Sequence, residues 1–132
     1  MMAKKRVRVI LVGDAQEEYA NLEKMVGEEK KKGISSTFHQ TLLRSINGKI
    51  DILKERHDYG EQVPRSRIPR KYSDMGVTNL WKVDLASYWR MVYTLRQPQR
   101  EGAEIEIMEI FLDVLDIVSH PAYDKIFGYR KR

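Results

Sequence analysis

Residues 79–95, NLWKVDLASYWRMVYTL, are the part of the chain that best predicts the fold. Apolar and polar residues alternate in two short runs, which is typical of strands that lie with one face on a core. We therefore predict a hairpin of two strands, roughly 79–85 and 88–96, joined tightly around Ala86 and Ser87. Its charged face is either a solvated surface or a binding site. The alternating residues are Trp81, Val83 and Leu85 on the apolar face and Lys82, Asp84 and Arg90 on the charged face.

One strand and one helix are predicted at the start of the chain. Residues 5–12 alternate and then become continuously apolar, which favours a strand. From Ala15 onward apolar residues recur on one helical face. Asp14 is the expected N-cap of this helix and Gly33 its end.

A second helix follows the first. Ser35 or Ser36 is the expected N-cap. The apolar stripe keeps its phase across Asn47 and Gly48, so we predict one continuous helix rather than two helices joined by a turn. It is expected to end near Gly60.

The second half of the chain is predicted to contain a loop, the hairpin, a long strand and a short helix. Residues 61–78 have two prolines and no helix or strand period, so we predict an ordered connecting loop. Residues 104–118 are apolar enough to lie near the sheet centre with both faces covered. Their length predicts a bend or bulge near Met108 and Glu109. A short helix is expected over 121–128, since Pro121 suits its first turn.

The order is strand, helix, helix, strand, strand, strand, short helix. This order predicts an α+β fold in which an N-terminal helical hairpin packs on a small, twisted, mainly antiparallel β-sheet, with a short C-terminal helix. The chain has 132 residues and 42% hydrophobic residues, which fits a single domain over residues 1–132.

The composition also limits the function. The chain has no cysteine, which excludes disulfides, a thiol nucleophile and cysteine-ligated metals. The first apolar run is too short for a signal sequence or a membrane span, so we expect a cytoplasmic protein without membrane contact. Charged residues make up 33% of the chain, which resembles the composition of hyperthermophile proteins.

A net charge of +5 makes polyanions such as RNA plausible partners. His39 and His57 are too far apart on the second helix to form a zinc pair. The chain also lacks a phosphate-binding glycine loop. We therefore predict no metal site and no cofactor.

Two stretches resemble a known family. The hairpin LWKVDLASYWRMVYTL is similar to a pattern of a polar strand, a tight turn and a second strand that contains YR-hydrophobic-VY. The ending VLDIVSHPAYDKIFGYRKR is similar to a final strand followed by a turn with His or Arg and then a Tyr. Together with the element order, these stretches make nearly the whole chain resemble the RelE/ParE toxin superfamily.

The resemblance implies one of two kinds of function. RelE-like members cut messenger RNA on the ribosome without a metal, whereas ParE-like members inhibit gyrase and cut no RNA. Both kinds imply an antitoxin partner, and the first implies RNA or the ribosome as target. We expect a RelE-like protein that binds RNA or the ribosome. The alternative is a non-catalytic member that binds another protein, or a solitary nucleic-acid-binding or protein-binding domain.

The resemblance also implies site residues. Arg90 corresponds to the arginine of the second hairpin strand, and Lys82 to the first lysine of the strand before it. His120 lies where some relatives have a catalytic histidine. Two of these have a structural alternative: Arg90 can pair with Asp84 or Glu106, and His120 can cap the last helix. The candidate catalytic set is Arg90, His120, Lys82 and Tyr129.

Asp84 departs from the family pattern, because RNA-cutting relatives often carry a second lysine there. Its carboxylate can serve as a base or can form an ion pair across the hairpin. The turn after the last strand also lacks the arginine found in some relatives. Both departures favour the non-catalytic alternative, whereas Arg90 and His120 favour cleavage.

A second group of residues is expected to bind the nucleic acid itself. Basic side chains of the loop RSRIPRK and of the C-terminal tail can contact phosphates, and an aromatic ring near the chain end can stack on a base. Tyr123 can instead pack the last helix on the sheet. The expected binding residues are Arg65, Arg67, Arg70, Lys71, Tyr123, Arg130, Lys131 and Arg132.

Overall fold

The computed structural model describes residues 4–97 and 107–128. The predicted α+β fold is confirmed, with helices at the N-terminal side and a mixed sheet built mainly from the second half. The strands are β1 (Lys4–Leu11), β2 (Glu61–Val63), β3 (Leu80–Asp84), β4 (Trp89–Arg96) and β5 (Ile107–Ser119), and the helices are α1 (Gly13–Lys31), α2 (Phe38–Glu55), α3 (Arg70–Ser73) and α4 (His120–Phe127).

The five strands form one sheet in the order β1-β5-β4-β3-β2. β1 runs parallel to β5, and the other three neighbouring pairs are antiparallel. The predicted internal position of β5 is therefore confirmed, because it lies between β1 and β4. The hairpin β3–β4 ends at the pair Asp84 and Arg90, so these two side chains lie opposite each other.

The apolar face of the sheet packs on α1 and α2. Periodic residues of the two helices are buried there, including Leu22, Leu42 and Ile46, against Met91 and Val114 of the strands. The helices are joined by a hydrogen bond of 2.7 Å from the Tyr19 hydroxyl to Asn47 Oδ1. This contact gives Asn47 a role inside a continuous helix, and the predicted continuity of α2 is confirmed.

The opposite face is less open than the sequence pattern suggests. Helices α3 and α4 and the connections on either side of α3 cover part of it. Together with residues of the strands they form a second, smaller apolar cluster. Of the charged strand residues on this face, Asp116 is buried under the covered part, whereas Lys82 and Arg90 are partly exposed. The buried members of this second core are Val63, Tyr72, Leu80, Val92, Leu115 and Tyr123.

Both predicted helix caps are wrong by one or two residues. α1 begins at Gly13, and Asp14 lies inside its first turn, where a carboxylate still complements the helix dipole. α2 is capped by Thr37, whose hydroxyl accepts from the Gln40 N–H at 3.1 Å. α2 also ends at Glu55, before the predicted end at Gly60.

The predicted order of segment 61–78 is confirmed, but the prediction that it lacks helix and strand is wrong. This segment adds the edge strand β2, a 3₁₀ turn at Arg65–Arg67 and helix α3. Its order comes from Tyr72, which is fully buried in the second core. A single buried tyrosine in a proline-containing segment leaves no period, so the pattern of the sequence does not reveal it.

A β-bulge lies in β5, but not at Met108 and Glu109. Met108 pairs in regular register with Lys5 of β1. The register with β4 shifts by one residue where Val92 pairs with Asp116 and Tyr93 pairs with Val114, so that Leu115 is the extra residue. Bulges bend a strand and re-aim the side chains after them.

We predict that Gly60→Ala destabilises the fold. Gly60 donates its N–H to the Tyr93 hydroxyl at 3.1 Å, and that hydroxyl donates to His57 O at 2.9 Å. Burial raises the pKa of Tyr93 to about 12, which keeps this hydroxyl protonated. A Cβ at Gly60 would lie 2.5 Å from the Tyr93 hydroxyl and 2.8 Å from the Lys82 backbone oxygen. Urea unfolding should show a loss of about 1–3 kcal/mol.

Gly48→Ala is the matched control for this substitution. Gly48 lies inside α2, and a Cβ there meets no atom within 4 Å. Alanine should therefore raise the free energy of unfolding by about 0.5–1 kcal/mol through its higher helix propensity. Equal effects of the two substitutions would contradict the close approach at Gly60.

Candidate functional site

A cavity of about 610 Å³ opens beside the β3–β4 turn. Residues from the end of β3, from the turn, from the start of β4 and from the start of α4 surround it. Two of the predicted catalytic residues, Arg90 and His120, are thereby brought to one cavity although 30 positions separate them in the chain. The lining of this turn pocket consists of Asp84, Leu85, Ser87, Tyr88, Trp89, Arg90 and His120.

Arg90 is held from two sides. Its Nε lies 3.3 Å from Asp84 Oδ1, and its guanidinium carbon lies 4.4 Å from the centre of the Tyr123 ring. The Arg90 side chain is 22% exposed, whereas the Asp84 side chain is 78% exposed. The predicted alternative of an Arg90–Asp84 ion pair is therefore present. The ring fixes the guanidinium from below, and the carboxylate contacts it at the solvent side.

His120 is the first residue of α4, and it is not the cap of that helix. Ser119 is the N-cap, and its hydroxyl accepts from the Ala122 N–H at 3.4 Å. This leaves the His120 ring free of the capping role, and its Nε2 lies 3.2 Å from Asp124 Oδ2 one helical turn later. The imidazole side chain is 44% exposed beside the pocket.

Lys82 does not line the turn pocket. Its Nζ lies 3.3 Å from Glu61 Oε2 and 5.9 Å from the centre of the Tyr123 ring. It borders a neighbouring cavity of about 310 Å³ with Lys49 and Tyr59. Asp84 lines both cavities, so the two lie next to each other along β3.

The β3–β4 turn holds two non-glycine residues in the left-handed backbone region. Ser87 has φ 60° and Tyr88 has φ 63°. The Trp89 N–H donates to Ala86 O, and the Leu85 N–H donates to Trp89 O at 2.8 Å. These are the φ signs of a type I′ turn, which favours Asn-Gly because bulky residues are strained there.

Tyr88 was predicted to begin the second hairpin strand, and this is wrong. β4 begins at Trp89, and Tyr88 lies in the turn with 85% of its surface exposed. The alternation of the sequence continues through Tyr88, so it looks like a strand residue. The missing signal is a glycine, which normally marks a turn of this type.

Tyr123 is placed differently from the prediction that it stacks on a base. The residue is 2% exposed, and its ring stacks on Phe127 with centroids 4.1 Å apart. It belongs to the second core and supports Arg90 from below. The alternative, in which Tyr123 packs the last helix on the sheet, is the one that the structure has.

Lys71 is also placed differently from the prediction that it binds phosphate. Its Nζ lies 2.9 Å from Asp116 Oδ2 and 3.2 Å from Asp14 Oδ2. Asp116 is 2% exposed and accepts a further bond of 2.7 Å from the Tyr72 hydroxyl. Lys71 therefore balances a buried carboxylate, although its own side chain stays 40% exposed.

The pKa values of this cluster follow from burial and the carboxylates. Burial lowers the pKa of Lys71, but the hydrogen bond and charge of Asp116, together with Asp14, outweigh it and raise the pKa above its ordinary value. Burial, and then the hydrogen bond to Asp116, raise the pKa of Tyr72. Tyr72 therefore stays a hydrogen-bond donor to Asp116.

The remaining arginines of the basic loop are exposed but lie away from the turn pocket. Arg65, Arg67 and Arg70 make no ion pair with any residue in the described part of the chain. They follow β2 at the end where Val63 pairs with Leu80. Asp84, at the turn pocket, lies four residues beyond Leu80 along β3, which is roughly 13 Å from Leu80.

Some of the predicted residues lie outside the part of the chain that the structure describes. Tyr129, Arg130, Lys131 and Arg132 lie outside the described residues, as does Glu106, the alternative partner of Arg90. Over residues 4–97 and 107–128, no group of three or more His, Asp or Glu side chains is arranged to hold a metal ion. No helix within these ranges has the length and apolar character needed to cross a membrane.

Comparison with known proteins gives no match: no family model, no curated protein and no solved structure is detectably similar to the chain. The resemblance to the RelE/ParE superfamily therefore stays a prediction.

We predict that Lys71→Met destabilises the fold although Lys71 lies in the basic loop. The substitution removes the cation that balances the buried Asp116 carboxylate. Breaking a fully buried pair costs about 3–5 kcal/mol, and the partial exposure of Lys71 should reduce this to about 1–3 kcal/mol. Thermal or urea unfolding measures the loss.

Arg70→Met tests the same loop without that contact. Arg70 is exposed and unpaired among the described residues, so its substitution should change the free energy of unfolding by less than about 0.5 kcal/mol. Unchanged stability of Lys71→Met would contradict the structural role of the Lys71–Asp116 pair.

Proposed function

We propose that this protein is a RelE-like toxin-family protein that binds RNA on the ribosome and cleaves messenger RNA at the turn pocket. The supporting observation is that Arg90 and His120, the two strongest candidates of the sequence, line one accessible cavity. The cavity is of a size that holds a nucleotide-sized ligand. Arg90 supplies the positive charge of this lining, and the more exposed Asp84 supplies a negative one.

The chemistry required is attack of a ribose 2′ oxygen on the adjacent phosphorus. The 2′-OH loses its proton, the bond from phosphorus to the 5′ oxygen breaks, and that leaving oxygen gains a proton. Negative charge grows on the phosphorus oxygens between these two events, and cations lower its energy. The products are a 2′,3′-cyclic phosphate and a free 5′-OH.

The pocket contains a group for each of these needs. Arg90 supplies a planar cation with several N–H donors, which suits the crowded phosphate of the transition state. His120 is the proton-transfer group, because imidazole gives and takes protons near neutral pH. Asp84 is the second group that can hold a proton, and its carboxylate lies at the mouth of the pocket.

The ion pair of Arg90 and Asp84 is compatible with phosphate binding. A pair with one largely exposed carboxylate contributes only about 0–1 kcal/mol. A phosphate that contacts Arg90 in several places exceeds this and can displace the carboxylate. Asp84 then becomes free to act on the 2′-OH.

The proposal includes the partners that such a protein needs. RNA is bound in the context of the ribosome, and an antitoxin covers the charged part of the sheet face to keep the protein inactive. Both act in the cytoplasm. A short acidic partner suits this surface, because Lys82 and Arg90 contact Glu61 and Asp84, which an incoming carboxylate can replace.

We expect purified protein to create new messenger RNA ends in a defined translation reaction. Primer extension should map these ends inside the reading frame. His120→Gln should lower the cleavage rate about 10²–10⁴-fold, the usual contribution of proton transfer by a side chain. Arg90→Lys keeps the charge but loses the planar donor set, so it should also cleave more slowly.

Asp124→Asn is the control for the histidine. It removes the carboxylate next to His120 but leaves the imidazole and the lining of the pocket in place. Cleavage that is unaffected by both His120→Gln and Arg90→Lys would contradict the site. Intact messenger RNA at every concentration of folded protein would contradict nuclease activity altogether.

A second candidate function is non-catalytic binding, either as a ParE-like inhibitor of another protein or as a solitary binding domain. The observation in its favour is that each of the three basic side chains of the candidate catalytic set already contacts a carboxylate. These pairs are Lys82–Glu61, Arg90–Asp84 and His120–Asp124.

Asp84→Asn separates the two functions. In the RNA-cleaving protein, loss of this carboxylate should tighten binding of a single-stranded RNA by up to about fivefold, because Arg90 no longer has to leave a partner. Cleavage should fall at the same time. Filter binding and primer extension measure the two effects, and a protein that binds no RNA in either form supports the protein-binding form of the second candidate.

A further inference from the structure

The turn between β3 and β4 carries a large aromatic ring in a position that the backbone disfavours. A tyrosine in the left-handed region is strained, and such residues persist only where the surrounding structure or a function holds them. Glycine at this position would remove the strain. Nevertheless the chain has Tyr88 here with φ 63°.

The ring of Tyr88 has no visible structural role. The residue is 85% exposed, and its side chain makes no hydrogen bond or ring contact with any other residue described by the structure. Its neighbour Trp89 behaves in the opposite way, because its ring packs inward with its centroid 5.9 Å from that of Phe38. Packing therefore explains Trp89 and leaves Tyr88 unexplained.

Tyr88 does line the turn pocket, together with Arg90 and His120. A nucleotide that places its phosphate at Arg90 has its base within reach of the rim formed by the turn. A flat, exposed aromatic ring at the edge of a cationic pocket suits stacking on a base, and such stacking tolerates any base.

We propose that Tyr88 is a nucleobase-stacking residue, which holds the base of a nucleotide adjoining the phosphate at Arg90. This inference rests on the proposed RNA-binding function. It assigns to Tyr88 the stacking role that the sequence suggested for tyrosines near the chain end. The ring, not the hydroxyl, makes the contact, and recognition is of the presence of a base rather than its identity.

The test is binding of a fluorescent single-stranded RNA hexamer, with 2′-O-methyl riboses to prevent cleavage, measured by anisotropy at fixed salt. Tyr88→Gly should weaken binding by about fivefold or more, because stacking on one base typically contributes that much. Tyr88→Phe should bind within about twofold of the unchanged protein. The melting temperature of Tyr88→Gly should be equal or higher, since glycine relieves the turn.

A hexamer whose nucleotides lack bases completes the test. The unchanged protein and Tyr88→Gly should bind this abasic hexamer equally, because no base is left to stack. Arg90→Ala should weaken binding of both hexamers, because its contact is with phosphate.

Two results would overturn the inference while leaving the proposed function intact. In one, Arg90→Ala weakens binding but Tyr88→Gly does not. In the other, Tyr88→Phe is as weak as Tyr88→Gly, which would assign the contact to the hydroxyl. If the unchanged protein binds neither hexamer, and ribosomes do not restore binding, the proposed function and the inference both fail.

Discussion

The extra residue Leu115 in β5 determines on which face of the sheet the side chains after it, and helix α4, lie. Before the bulge, Leu112 and Val114 face the two long helices, and after it Ile117 does. The one-residue shift keeps Val118 opposite Arg90 on the other face and starts α4 there. Without it, alternation would carry His120 away from Arg90, since a one-residue slip exchanges the faces of a strand.

The same bulge also explains the buried charge in the second core. It places Leu115 and Asp116 next to each other on one face, where strict alternation would separate them. Leu115 packs in the apolar cluster, and Asp116 is satisfied by the Tyr72 hydroxyl and Lys71. These two contacts come from the segment after β2 and hold it against the sheet, although its sequence has no regular period.

The second core in turn positions the candidate site. Tyr123 is buried between α4 and the sheet, and its ring supports the guanidinium of Arg90. α4 is anchored by this ring, so its first residue, His120, reaches the cavity beside the β3–β4 turn. The exposed Asp84 contacts the Arg90 guanidinium on its solvent side. Tyr123 was expected to contact nucleic acid, but it affects the site by packing against Arg90 and anchoring α4.

Much of the fold follows from local patterns, whereas the site depends on contacts between distant residues. The stripes of α1 and α2 and the alternation of β3 and β4 extend over enough residues to be recognised. The bulge could not be located, because its position depends on how β5 pairs with β4. Lys71 looks like part of a basic patch until Asp116 is seen beside it, and Tyr88 looks like a strand residue because no glycine marks its turn.

The most direct test of this account is a nuclear magnetic resonance titration of the ¹⁵N-labelled protein with an uncleavable RNA oligonucleotide, following backbone amides and the His120 imidazole. The account predicts that the largest shifts cluster at Asp84, Ser87, Tyr88, Arg90 and His120. Shifts that cluster instead at Arg65, Arg67 and Arg70, or along α1 and α2, would show that RNA binds elsewhere and would contradict the turn pocket as the functional site.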